Sequence, residues 1–299
     1  MTPRVSIGLP VYNGERYLAN ALDSILAQDF GDFELIISDN ASTDATQDIC
    51  ETYTRRDRRI TYSRLSENLG AAGNYNRVVH LSTGELFKWA AHDDLIRPAF
   101  LSRCVDAFKA FRLPPAIVHP KAEFIDENGI VIGPDMDSMR ASSDYSWIRA
   151  FQTLQAMNMA APVAGVFHRE TLKKTRLIGS FAASDYVLLL EAGLLGKIVQ
   201  LDGEPLFQRR LHAEMSRKAN LSERDVLHWF DPQARLTLSP RRKLYLEYLR
   251  APVRIVESSW IEKMLCIATI VCGVFFKRTR VLLGKYRRRG TSRPAIERS

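Results

Sequence analysis

His92, Asp93 and Asp94 stand at the end of the strand-like run Leu86–Ala91, with apolar residues and then Pro98 behind them. Two adjacent carboxylates at the end of a buried strand repel each other and lose hydration. That arrangement costs stability unless a cation or a hydrogen-bonding ligand compensates. Asp94 also fits a plainer role, as the N-cap of a helix with Pro98 in or near its first turn. The local sequence leaves both readings open.

The elements that must position these residues follow from the patterning. Val5–Leu9 is a short β-type run closed by Pro10, and Val11–Gly14 reads as a loop. Leu18, Leu22, Ile25 and Leu26 carry helical spacing within Glu15–Gln28. Strands are expected at Phe33–Ile37, Ile60–Ser63 and Leu86–Ala91, with helices to about Arg55 and over about Ala71–Leu81 between them. This β-α-β-α-β-α-β alternation predicts an α/β fold with a mostly parallel sheet. In such sheets ligands bind beyond the carboxyl ends of the strands. Pro10–Asn13, Asp39 and Asp93–Asp94 all fall there, and three polar clusters on one edge are hard to explain as separate caps. No GxGxxG follows the first strand and no GxxxxGK[ST] occurs, which argues against a Rossmann dinucleotide site or a P-loop. The first loop offers Tyr12 and Asn13 instead, which suit a base or ribose.

Past Pro98 a helix is expected to about Arg112, ended by Pro114–Pro115. Ala116–Ile132 reads as two strands about the turn Asp126–Gly129. Residues 134–146 read as a loop with little core and as a candidate mobile lid. A helix over Trp147–Met159, a buried strand over Pro162–Phe167, an apolar helix over Val187–Leu195 and a strand from Lys197 complete the pattern; Leu206–Leu211 then leads to His212.

Charge is informative by location. The chain of 299 residues carries a formal net charge of +8. Residues 277–299 hold nine Lys and Arg against Glu297, so that tail accounts for the whole excess and the body is neutral. The body is therefore not a nucleic-acid-binding domain, and no nucleic-acid partner is expected. Cys50, Cys104, Cys266 and Cys272 are scattered, suggesting neither a zinc site nor a disulfide framework. Met1–Arg4 runs straight into the first strand, so no signal peptide is expected.

The pieces PVYN at 10–13, ISDNASTD at 37–44, NLGAAGNYN at 68–76, STGELFKWAAHDD at 82–94, SDY at 184–186 and RRLHAEMS at 209–216 occur in register. Together, over roughly residues 4–216, they resemble the family 2 glycosyltransferases. The resemblance implies a GT-A-like, three-layer α/β/α fold, with a catalytic domain over 1–220: a nucleotide-binding half to about 97 and an acceptor half to about 220. By the same resemblance the nucleotide-sugar donor is held by Pro10, Val11, Tyr12, Asp39, Asn68, Asn76, Asp93, Arg209 and Arg210. Asp94 and His212 would bind a divalent metal, Mg²⁺ or Mn²⁺. Asp185 would be the general base of an inverting transfer to an acceptor hydroxyl on a glycan or a lipid-linked carrier. Asp185 also fits as a helix N-cap, and Arg209–His212 as a solvated strand end. Two departures stand out: His92 replaces a common acidic residue, and Asn74–Tyr75–Asn76 replaces Ala-Arg-Asn.

Residues 221–299 read as a helical region with a basic tail. Met264–Phe276 is apolar over 13 residues, too short for a span of about 20 residues, and basic residues follow at once. That composition suits a helix lying in an anionic membrane surface, which implies a location on the cytoplasmic face of a membrane. Docking on the catalytic domain is the alternative. A nucleotidyltransferase-like enzyme and a catalytically inactive membrane-associated binding protein are the competing functions.

Overall fold

A computed structural model describes residues 2–213, 222–234 and 238–291, with side chains as far as 280. The first half alternates as the periodicity predicts: β1 (Val5–Val11), α1 (Leu18–Leu26), β2 (Phe33–Asp39), α2 (Thr46–Arg56), β3 (Ile60–Arg64), α3 (Gly70–Leu81) and β4 (Leu86–Trp89). A short strand β5 (Leu95–Ile96) precedes α4 (Phe100–Lys109). Then come β6 (Ile117–His119), β7 (Ala122–Ile125), β8 (Val131–Asp135), α5 (Ser146–Ala156), β9 (Val166–His168), α6 (Arg169–Lys174), α7 (Ser184–Leu195), β10 (Ile198–Gln200) and β11 (Phe207–Arg210). Among the described residues three helices follow: α8 (Glu223–Phe230), α9 (Pro240–Ile255) and α10 (Trp260–Thr291).

Seven strands form one sheet in the order β10-β6-β9-β4-β1-β2-β3. It is parallel except at β9, which runs antiparallel to both β4 and β6. Side chains alternate across it, as strand geometry requires. On β4, Leu86 joins the core beneath α1 and α4, whereas Phe87 and Trp89 join the core beneath α3, α5 and α7. Helices therefore cover both faces, and the expected three-layer α/β/α architecture is present. A second sheet, β5-β11-β7-β8, sits beside the first.

Three expectations are corrected. Ala116–Ile132 begins three strands rather than two, because Pro120 has no N–H for a continuous ladder and the chain passes there from the first sheet to the second. Pro162 starts a 3₁₀ turn (Ala161–Ala164), so only Val166–His168 is strand. Residues 134–146 are packed rather than a lid: Met139 and Ala141 are buried, Ala141 bridges to Ile198, and Asp137 Oδ2 accepts from the N–H of Ala161 at 2.8 Å.

The C-terminal helices share the same core. Cys266 and Ile270 of α10 are buried, and Gln155 of α5 donates to the Gly273 carbonyl at 2.8 Å. Among the described residues no helix is long and apolar enough to cross a membrane.

Candidate active site

The first two loops interlock beyond the carboxyl ends of β1 and β2. The N–H of Gly14 donates to Thr46 Oγ1 at 2.8 Å, and the N–H of Ala45 donates to Glu15 Oε2 at 2.9 Å. Asn13, with φ of 50°, accepts from the N–H of Thr43. Asp39 is fully buried under this clasp, where it accepts from Tyr62 at 2.8 Å and from the N–H of Ser42 at 2.8 Å. A Cβ on Gly14 would lie 2.9 Å from His92 Cδ2, so glycine there allows the β1–α1 loop to pack against the segment carrying the carboxylates.

A cleft of about 500 Å³ opens above these strand ends. It gathers Tyr12, Asp93, Asp94, Asp185, Arg209, Arg210 and His212 from distant parts of the chain. The N–H of Arg210 donates to Asp94 Oδ1 at 2.9 Å, and His212 Nε2 lies 2.9 Å from Asp93 Oδ2. Burial opposes ionisation of Asp93, but the hydrogen bond from His212 and the nearby His92 and His212 outweigh it and hold its carboxyl below the usual range. Burial first, and then the charge of Asp93, push Asp94 the other way, above the usual carboxylate range. The pair is thus split into one settled carboxylate and one whose negative charge is only partly offset by the N–H of Arg210 and the charges of Arg209 and Lys88.

Asp185 reaches the same cleft from the first turn of α7. The preceding Ala183 is held at φ of 63°, a left-handed conformation that costs an alanine about 1 kcal/mol. Strain of this kind persists where the surroundings over-determine the backbone.

Other expected site residues lie elsewhere. Pro10 and Val11 are paired within β1, opposite Ser38 and Asp39, so the strand extends past the expected break. Asn68 accepts from the N–H of Gly70 at the start of α3. Asn76 exchanges two hydrogen bonds with the backbone of Ile178 and so fixes α3 to the approach of α7. These four, and Asp39, do not line the cleft. The Arg210 guanidinium is engaged by the carbonyls of Asp93, Asp126 and Glu127 and stacks 4.6 Å from the Tyr17 ring; it braces the site rather than facing a ligand. Arg209 pairs with Asp135 at 3.1 Å. His212, expected as a metal ligand, has its Nε2 2.9 Å from Asp93 Oδ2 and its Nδ1 buried.

Two residues, one beneath the cleft floor and one on its wall, had no signal in the sequence: Lys88, whose charge acts on Asp94, and Trp229. Lys88 is buried on β4, donates to the carbonyls of Trp89 and Ala164, and has its ammonium 4.6 Å from the Phe100 ring centre. Burial lowers its pKa to about 8. Trp229, on α8, reaches the cleft wall from far along the chain.

The chain is 28% identical over 231 residues to an uncharacterized glycosyltransferase of Rickettsia typhi, covering 74% of this chain and 68% of that protein. The S. aureus TarS 1–349 structure in complex with UDP-GlcNAc superimposes with a TM-score of 0.64 at 21% identity, covering 93% of this chain and 74% of that one. A mannosyltransferase of Pyrobaculum calidifontis in complex with GDP-Man and Mn²⁺ superimposes with a TM-score of 0.52 at 14% identity, covering 98% and 82%. These likenesses establish the GT-A fold expected from the sequence motifs. The profile of glycosyl transferase family 2 matches residues 6–175, more than half of the sequence, and the chain belongs to that family.

Proposed function

We propose that the protein is an inverting, metal-dependent glycosyltransferase that moves a hexosyl or deoxyhexosyl group from a nucleotide-diphosphate donor to an acceptor hydroxyl on a glycan or lipid-linked carrier. The observation that carries the reading is the convergence of Asp93–Asp94 and Asp185 on one cleft. The TarS and mannosyltransferase complexes, with UDP-GlcNAc and with GDP-Man and Mn²⁺, support a nucleotide-sugar donor.

Asp94 fits a hard cation. It is an oxygen donor, oriented by the N–H of Arg210, whose negative charge the surrounding cationic groups offset only in part. Among the described residues no group of three His, Cys, Asp or Glu side chains is gathered to hold a metal. The donor diphosphate and water would complete the shell, as is usual for Mg²⁺. When bound, the ion supplies Lewis acidity to the departing diphosphate. Asp93, held by His212, takes the ribose in this reading. Asp185 accepts the proton of the acceptor hydroxyl as its oxygen bonds to the anomeric carbon. The carbon–oxygen bond to the diphosphate breaks, and the nucleotide diphosphate leaves.

The outer face of α10 exposes Trp260, Ile261, Leu265, Val271, Phe275 and Phe276 beside basic residues. An apolar stripe with a basic end suits an anionic lipid surface. We therefore assign the chain to the cytoplasmic face of a membrane, as a peripheral protein.

Thermal unfolding with UDP, GDP or dTDP, each with and without Mn²⁺, tests the donor reading. At least one nucleotide should raise the midpoint, and more so with Mn²⁺. A midpoint indifferent to all of them would overturn it.

A further inference from the structure

A second cavity, of about 450 Å³, adjoins the first. The two share Tyr75, Val163, Asp185 and Trp229, so the chambers meet at Asp185. Their walls differ. The first is edged by carboxylates, arginines and histidines, whereas the second is closed by Val163, Ile178, Val226, Trp229 and Phe230. Asp185 is the one charged residue among its described lining residues. The hydroxyl of Tyr186 donates to the Asn158 carbonyl.

The outer wall is fixed in place. A Cβ on Gly70 would lie 2.5 Å from the Phe230 carbonyl, so α8 lies directly against the start of α3. This close approach holds Val226, Trp229 and Phe230 opposite Ile178.

We infer that this chamber receives a hydrocarbon group of the acceptor, with the reacting hydroxyl at Asp185 and the hydrocarbon between α3 and α8. The assignment rests on the transferase reading and names the acceptor as an amphipathic alcohol. A sugar ring buried here would bring several hydroxyls that each need a partner, and among the described lining residues the polar side-chain groups are those of Tyr75, Asp185, Trp229 and Tyr186, the last already engaged. A hydrocarbon group needs none. Every methylene it buries strengthens binding about fourfold.

The test is binding of methyl, butyl, hexyl and octyl β-D-glucosides below their micellar concentrations, followed by calorimetry on the full chain. An Ile261→Asp/Phe275→Asp background removes adsorption to the outer face of α10. The affinity should rise about fourfold per methylene. Val226→Glu, which places a charge in the chamber, and Val226→Trp, which fills it with apolar volume, should both abolish the chain-length dependence while leaving the nucleotide-induced rise in unfolding temperature intact. Length-independent binding, or a dependence that survives both substitutions, overturns the inference while a retained nucleotide response leaves the transferase reading standing. A chain-length dependence lost in both variants, with no response to any nucleotide, overturns the transferase reading and with it the acceptor assignment.

Discussion

The backbone N–H of Arg210, on β11, donates to Asp94 Oδ1 at 2.9 Å, beside the pairing of β11 with β5. The bond fixes one oxygen of a carboxylate that burial and Asp93 make reluctant to ionise alone. If Asp94 carries the cation, Asp94→Asn keeps the shape and removes the charge. We expect the Mn²⁺-dependent part of nucleotide binding to vanish and transfer to fall about 10²–10³-fold. Calorimetric titration of nucleotide with and without Mn²⁺ checks this; an unchanged Mn²⁺ effect would assign the cation elsewhere.

Gly14 and His92 form a second contact between elements of the site. An added Cβ would meet His92 Cδ2 at 2.9 Å and Val11 Cγ2 at 2.7 Å. Gly14→Ala should therefore push the carboxylate-bearing segment out of place and cut transfer about tenfold or more. His92→Ala should relieve much of that loss. A double-mutant cycle in transfer rate should show coupling of about 1 kcal/mol or more; strict additivity would contradict the contact.

Stability should fall on acidification through Glu247. This buried carboxylate of α9 meets Arg176 and Lys243. Burial opposes its ionisation, but those hydrogen bonds outweigh the cost and hold its pKa at about 2. Because the folded value lies below the unfolded one, the stabilisation is present above the ordinary glutamate range and is lost as pH falls toward 2. Glu247→Gln should cost about 2–3 kcal/mol at pH 7 and little at pH 2. Denaturant melts across that range decide it, and a gap that stays constant with pH would refute the assignment.

The membrane assignment predicts co-sedimentation with vesicles containing anionic lipid. The 32-residue α10 is about 48 Å long, with its inner face docked on α5. Ile261→Asp/Phe275→Asp alters only its exposed side. Vesicle binding should drop several-fold without a change in unfolding temperature. Binding that persists through these changes and is insensitive to salt would exclude this face.

Much of the site was legible because it lies where strands end. The run through β4 into Asp93–Asp94, the loop at Tyr12 and the Asp185 turn are local patterns, and the structure brings all three to one cleft. Pro10 did not end its strand, because the partner ladder carried it on to Val11. Asn68 and Asn76 have the side chains of ligand-binding residues, yet the fold uses Asn76 on the backbone of Ile178 and Asn68 on Asn40 and the N–H of Gly70. Arg210 was legible as a cation but not as a brace, since its partners Asp126 and Glu127 lie far away in sequence. The contribution of α8 was not legible. Its sequence marks a helix, but its position against Gly70 depends on a close approach that no local pattern encodes.

Asp185 is the hinge of the account, because it lines both chambers and is the proposed base. The most direct test is the single-turnover transfer rate of Asp185→Asn, measured with its donor affinity on the same preparation. The rate should fall about 10²–10⁴-fold with a donor dissociation constant that does not change. A rate near that of the wild type would contradict it.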